Sequence, residues 1–292
     1  MTYKILITGA TGNIGREVMA ALAPLNTKHE IIAAGKDVKS TQHKLESFEG
    51  ISVRQLDFAD SAGFDAALQA VDVVFLLRPP NLADISKFFE PFFESMQRQN
   101  VSRVVFLSVQ GVEDQPKIPH YKMEQLIKAL GLEYVFLRPS YFMQNLSTTL
   151  LPDILEQDHI YVPAGKVKFT WVDAVDIGKV AAHILTHFDA FSHQELEITG
   201  SEVLGFDEVA RQMTGVLGRK ITYTSPNLCS FFLKKKKQEV PTPMIFVMIM
   251  LHFLPRFQKK RHKLSQVVKE VTGDEPGLLQ DFLIREQHLF KN

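Results

Sequence analysis

Cysteine is nearly absent. The single residue Cys229 excludes an intrachain disulfide, and with it the disulfide-stapled secreted scaffolds. Neither sign of charge is in excess, with Lys+Arg and Asp+Glu at 33 each, so composition makes no electrostatic case for a nucleic-acid or membrane partner. No long hydrophobic run is present. The most apolar stretch, Met244–Leu251, is followed by His252 and falls far short of the roughly 20 residues a membrane span requires. It reads as a buried helix or an apolar pocket wall. The N-terminus runs from Met1 straight into a strand pattern without a basic region or cleavage site, so no signal peptide is read and a cytoplasmic location is expected. No internal repeat and no low-complexity linker interrupts the 292 residues. No clustered His/Cys set has metal-ligand spacing, so no metal site is expected. Asp173 and Asp176 read as N-terminal helix charges rather than ligands.

What is there is rhythm. Lys4–Thr8, Glu30–Ala34, Ser52–Gln55, Val71–Leu77, Arg103–Ser108 and Tyr134–Arg138 are short, β-branched or aromatic runs bounded by turn residues, and they predict strands. Ile14–Ala23, Ser61–Ala70, Leu82–Gln99 and His120–Leu130 between them have helical spacing. Alternation of this kind predicts an α/β fold: a doubly wound parallel (Rossmann) sheet with helices on both faces. After Arg138-Pro139 the rhythm loosens. Asp173–His187 and Phe206–Leu217 read as helices, Glu195–Ile198 as a strand, and the tail from Thr224 as helical. The expected organisation is a dinucleotide-binding domain over 1–145 and a smaller, mostly helical lobe over 146–292, packed on the first and partly interleaved with it.

The first strand leads into Gly9-Ala-Thr-Gly12-Asn-Ile-Gly15, which opens the first helix. Strand, glycine turn and helix in that order is the context in which backbone can cradle a pyrophosphate. Gly9 permits a tight turn, Gly12 lets backbone approach the phosphates, and Gly15 lets helix and strand pack closely. The helix N-terminus adds free N–H groups and a positive dipole end. At the end of the second strand, Gly35-Lys36-Asp37 offers a cation where an NAD site has an acid, so NADP(H) is favoured. NAD(H) stays open if Asp37 points into the site.

The G-x-x-G-x-x-G spacing resembles that of extended and atypical short-chain dehydrogenase/reductases, and further residues are similar to their NmrA-like branch. These are Leu56-Asp57-Phe58-Ala-Asp60, Phe75-Leu-Leu-Arg-Pro-Pro80, Phe106-Leu-Ser108-Val-Gln-Gly111, the stretch from Gly131 through Leu137-Arg-Pro-Ser-Tyr-Phe142 to Asn145, Trp171–Gly178 and Leu217–Tyr223. The resemblance spans almost the whole chain. It implies a cofactor-binding set of Gly9, Thr11, Gly12, Asn13, Ile14, Gly15, Lys36, Asp57, Phe58, Leu77, Arg78, Pro79, Ser108, Val109, His120, Pro139, Tyr141 and Phe142.

In that superfamily a Tyr and a Lys four residues later share one helix face and protonate the substrate oxygen. Counting back from Glu124 and Gly131, this chain holds His120 at the Lys position and Pro116 at the Tyr position. Tyr121 and Lys122 are adjacent and point about 100° apart, so they do not replace the pair. His120 and Ser108 remain as candidate catalytic residues. His120 would bond a cofactor ribose or donate a proton near neutral pH, or else simply pair with Glu124. Ser108 sits at a strand end, where it would serve the site or only cap the strand.

Two functions follow. One is NADPH-dependent reduction of quinone-like or other small electron-poor acceptors by direct hydride transfer, with a small-molecule, aromatic or quinone-like substrate. The other is a non-catalytic NADP(H) redox sensor acting through a protein partner. Lys234–Lys237 and Lys259–Lys263 read as solvated basic faces, and Cys229 as a packed small residue. Tyr141-Phe142 and Phe231-Phe232 either wall a planar-substrate pocket or pack the core.

Overall fold

A computed structural model describes residues 2–257 and 263–291. The expected alternation is realised in β1 (Lys4–Ile7), α1 (Asn13–Leu22), β2 (Glu30–Gly35), α2 (Val38–Lys44), β3 (Ser52–Gln55), α3 (Phe64–Leu68), β4 (Val73–Leu76), α4 (Ile85–Phe88), α5 (Glu90–Arg98), β5 (Arg103–Leu107), α6 (Pro119–Ala129) and β6 (Glu133–Pro139). The strand Gln194–Ile198 completes a seven-stranded sheet, in the order Gln194–Ile198, β6, β5, β4, β1, β2, β3. Every neighbouring pair in it is parallel. The chain leaves β1 toward β2 on one side and returns to β4 on the other. That reversal is the switch point where open α/β sheets bind ligands beyond the carboxyl ends of their strands.

The chain divides into two compact units. The first comprises Met1–Ser140, Ala174–Ile198 and Ser265–Glu275, and the second Tyr141–Asp173, Thr199–Leu264 and Pro276–Asn292. The sheet belongs to the first unit. Its strands read as continuous apolar runs because helices cover both faces: β4 is buried at every position. One layer is aromatic, with Phe58 set against Phe89 at 4.8 Å and against Phe92 at 5.1 Å between ring centroids. On another layer α1 lies close to the helix Ala174–Thr186, since a Cβ at Gly178 would come within 2.6 Å of the Glu17 backbone.

Differences from the sequence reading are local. The single helix expected over Leu82–Gln99 is two, α4 and α5, with Pro91 entering the first turn of α5, where a proline is tolerated. The helix expected over Ser61–Ala70 starts as a 3-10 turn at Ser61–Gly63.

The second unit also has strands that alternation did not signal: Tyr141–Phe142, Lys168–Val172 and Glu202–Gly205 in one sheet, and His159–Tyr161 with Thr222–Thr224 in another. Each has five residues or fewer, and none falls in a regular alternation with helices of the kind that marked the equally short strands of the first unit. Its core gathers Tyr141, Trp171, Phe206 and Phe231, so Tyr141 and Phe231 pack as core side chains. Met244–Leu251 lies in the helix Thr242–Phe253, which buries only Ile245, Met248 and His252 and so is not the enclosed helix expected. Most of Lys259–Lys263 lies outside the described residues. Among those described, no helix is long and apolar enough to cross a membrane, and no group of three or more His, Cys, Asp or Glu is placed to hold a metal.

Candidate dinucleotide site

The glycine turn joins β1 to α1, and each glycine meets a different neighbour. Gly9 has φ +62°, the left-handed region, and a Cβ there would also press on Leu77 Cδ1 at 3.0 Å. A Cβ on Gly15 would fall 2.1 Å from the Gly9 carbonyl oxygen. Gly12 differs, because its Cβ would meet nothing closer than that same oxygen, at 3.4 Å. The fold leaves space above Gly12, as close approach of an outside group requires. Gly12 caps α1 without a side-chain hydrogen bond, and the first turn carries no acid. The helix N-terminus is therefore open to an anion.

The turn is pinned to the end of β4. Thr8 donates its N–H to the Phe75 carbonyl at 3.0 Å, and its hydroxyl accepts from Leu77 N–H at 2.8 Å. Beyond Leu77, Arg78 folds back on its own loop. Its Nη1 donates to the carbonyls of Pro79 at 2.8 Å and Leu82 at 3.0 Å, while its Nε is buried with no partner. Ser108, at the end of β5, is 2% exposed, and its hydroxyl also lacks a partner. Ser140, just past Pro139 and β6, carries a third such group. Buried polar atoms without partners are rare in native folds and call for a ligand or water. Three of the four such atoms among the described residues follow β4, β5 and β6 at the carboxyl edge of the sheet; the fourth, Gln212 Oε1, lies in the second unit. Val109 follows Ser108 on that edge and is half-buried.

At the end of β2, Lys36 Nζ lies 3.1 Å from Asp57 Oδ1, and its side chain is 65% exposed. The Ala59 N–H, outweighing partial desolvation, and then Lys36 hold the Asp57 carboxyl below its ordinary value. Asp37 is committed elsewhere: it caps α2, its Oδ1 accepting from Ser40 N–H at 2.6 Å. Thr11 is half-buried and Asn13 exposed at the helix entry, whereas Ile14 and Phe58 turn into the core.

Pro116 occupies the turn before α6, and His120 lies on the first turn of that helix. Burial, and then the positive charge of Arg78, push the His120 imidazole down to about 3. It is neutral at physiological pH, so it can exchange hydrogen bonds with a hydroxyl but does not act as an imidazolium acid. Its ring stacks on Phe106 at 6.1 Å. It does not pair with Glu124. That carboxylate, 1% exposed, is gripped by Arg138 through Nε at 3.0 Å and Nη2 at 2.6 Å. Arg138 also meets Glu195 at 2.7 Å. Unpartnered Ser140 escaped the sequence reading. Its place directly after Pro139, inside the quoted Leu137–Phe142 stretch, was the available signal.

Tyr141 and Phe142 fall in the second unit. Tyr141 donates its hydroxyl proton to His252 Nε2 at 2.8 Å, since His252 Nδ1 donates to the Met248 carbonyl at 2.6 Å. Burial raises the Tyr141 phenol above its ordinary value.

Among proteins of known description, the chain is 28% identical over 279 residues to prestalk A differentiation protein A of Dictyostelium discoideum, covering 96% of this chain and 91% of that one. It is 28% identical over 230 residues, 77% of each chain, to an NAD(P)H azoreductase of Xenophilus azovorans. Its fold superposes with a TM-score of 0.81 on a NADPH-dependent quinone oxidoreductase of Escherichia coli in complex with NADPH, at 21% identity over 98% of this chain and 100% of that one. The glycine turn and the parallel sheet agree with a match that runs from residue 1 to residue 272, and on it the chain belongs to the NmrA-like family.

Proposed function

We propose that this protein binds NADP(H) and reduces small electron-poor acceptors, quinone-like compounds foremost, by direct hydride transfer. What supports the reading is the glycine turn at Gly9–Gly15, which leaves space above Gly12, together with the family resemblance, which implies that Pro116 and a neutral His120 stand where a Tyr–Lys proton donor would. Such a site can hold and orient a nicotinamide but has little means to protonate a ketone oxygen. When bound, the reduced dinucleotide supplies the hydride. A quinone accepting it needs only a proton from water to become the hydroquinone. The azoreductase and the quinone oxidoreductase to which the chain is similar are named for acceptors of this kind, which supports the reading.

The partnerless hydroxyl of Ser108 and Nε of Arg78 are suited to hydrogen-bonding the cofactor's sugar and amide groups, with His120 accepting from a ribose hydroxyl. Gly12, Asn13 and Thr11 would face the pyrophosphate, with Leu77, Pro79, Val109 and Pro139 as walls. Lys36 would take a 2′-phosphate and leave Asp57 to the adenine. With Asp37 engaged as a helix cap, NADP(H) is preferred over NAD(H).

The test is NADPH oxidation by the purified protein against quinones, azo compounds and ketones. Turnover of the first two classes but not ketones is expected. NADPH binding without turnover of any acceptor, together with partner binding that differs between NADP⁺ and NADPH, would replace this reading with the redox sensor. Lys36→Ala should weaken NADPH binding by roughly 10-fold or more, the worth of a charged hydrogen bond, and leave NADH unchanged. Equal effects on both cofactors by calorimetry would refute the role of Lys36.

A further inference from the structure

The helix Thr242–Phe253 and the turn Leu254–Phe257 expose an apolar face that the dinucleotide site does not use. Ile245, Met248 and His252 point inward at helical spacing. On the opposite side, Phe246 and Met250 form one row and Val247, Leu251 and Leu254 the next, all exposed. Phe246 is 56% exposed, Phe257 beyond the helix end 69%, and Leu233 on the preceding helix Leu228–Lys237 65%. The two helices touch through Phe232 and Phe246, with ring centroids 6.0 Å apart, so the patch is continuous. A solvated helix places polar side chains outward. This one has none between Met244 and Leu251.

The rim is mainly basic, with Glu239 the exposed acid at the end of the lysine run. Of the four consecutive lysines, Lys234 and Lys235 serve the fold through Asp153, at 3.1 and 2.6 Å. Lys236 and Lys237 are exposed at the helix end beside Leu233. At the far end of the patch, Arg256 and Lys166 line an open hollow of about 720 Å³ with Gly165, Ser225, Pro226 and Asn227. Between Leu228 and Phe257 the only acid is Glu239.

We infer that this face docks on an anionic lipid bilayer, the apolar rows entering the acyl boundary and Lys236, Lys237, Arg256 and Lys166 meeting the headgroups. The chemistry is that of a helix lying in the interface plane. Such a helix needs an apolar face and a cationic flank but no spanning length, and these 12 residues reach only about 18 Å. Charge selects the occupant. In a two-fold contact between copies the same patch faces itself, which sets one basic rim against the other. An anionic surface attracts every cation of the rim at once. The absence of a spanning run in the sequence does not bear on a helix that lies flat. The inference stands apart from the redox reading, since it uses no residue of the dinucleotide site.

The test is sedimentation of the full chain with phosphatidylcholine vesicles, with and without phosphatidylserine, at low and high salt. Binding that needs phosphatidylserine and weakens with salt is expected. Lys236→Gln with Lys237→Gln should lower the partition coefficient about 30-fold, from the attraction of two cations near the surface. Phe246→Ser with Leu251→Ser should lower it about 10-fold or more while thermal melting shows an intact fold, because both side chains face solvent. No sedimentation with the anionic vesicles, or sedimentation unchanged by both pairs, overturns the inference. So does a dimer in sedimentation equilibrium that Phe246→Ser with Leu251→Ser dissolves in a protein that ignores vesicles.

Discussion

Three glycines of one turn answer to three different constraints, and substitution separates them. Gly15→Ala forces a Cβ to within 2.1 Å of the Gly9 oxygen, so turn and helix must move apart. A loss of about 2 kcal/mol or more in denaturant unfolding is expected, in the class of strained backbone changes. Gly12→Ala finds its nearest atom at 3.4 Å and should leave stability within about 1 kcal/mol. If the proposed site is right, it should nonetheless abolish NADPH binding, because the methyl would take the space proposed for the pyrophosphate. Equal stability losses in the two variants, or unimpaired NADPH titration of Gly12→Ala, would sink this division of roles. The glycine pattern was legible in sequence because it follows a strand. The separate reasons were not, because each is a distance to a residue elsewhere in the turn or fold.

At the scale of elements, α6 is locked to β6 by a buried ion pair. Arg138 meets Glu124 through the Nε–Nη2 edge of its guanidinium, inside a cluster that also draws in Glu195. Removing one member of a buried pair costs more than the pair itself gains, because the other charge stays desolvated. Arg138→Met should therefore destabilise by roughly 3–5 kcal/mol, read from the denaturant midpoint at constant slope. A loss under about 1 kcal/mol would show that Glu124 finds another partner. The pair also explains why the i,i+4 reading of His120 with Glu124 failed. A guanidinium from a neighbouring strand outcompetes an imidazole that burial keeps neutral. Element types in the first unit followed from period and turn residues. The break at Phe89 and the 3-10 start at Ser61 did not, since both sit at element ends, where local pattern is weakest.

For the molecule as a whole, two poorly solvated histidines set a pH dependence, His252 fully buried and His120 half-buried. Burial drives His252 down to about 4 and His120 down to about 3, both below the unfolded value near 6.5. The unfolded chain therefore takes up protons first as the solution acidifies. This contribution to stability is complete above pH 6.5 and is lost as pH falls toward 4 for His252 and toward 3 for His120. For His252, which is 1% exposed, the loss amounts to about 3 kcal/mol. Urea unfolding between pH 7 and 4 should show it, and His252→Gln should flatten the curve. A variant curve as steep as the parent's would assign the loss to other groups.

The sequence by itself determined the α/β architecture and the dinucleotide turn, because period and glycine spacing act between neighbours along the chain. It also placed Pro116 and His120 at the spacing from Glu124 and Gly131 where the family resemblance implies a Tyr and a Lys. Only the tertiary structure decided that Asp37 is spent on a helix cap and Lys36 is paired with Asp57. It alone decided that Ser108 and Arg78 keep unpartnered buried atoms, and that Met244–Leu251 turns one face outward. Each of these depends on which surface meets which across tens of residues, and on how much water burial removes. A local pattern carries neither.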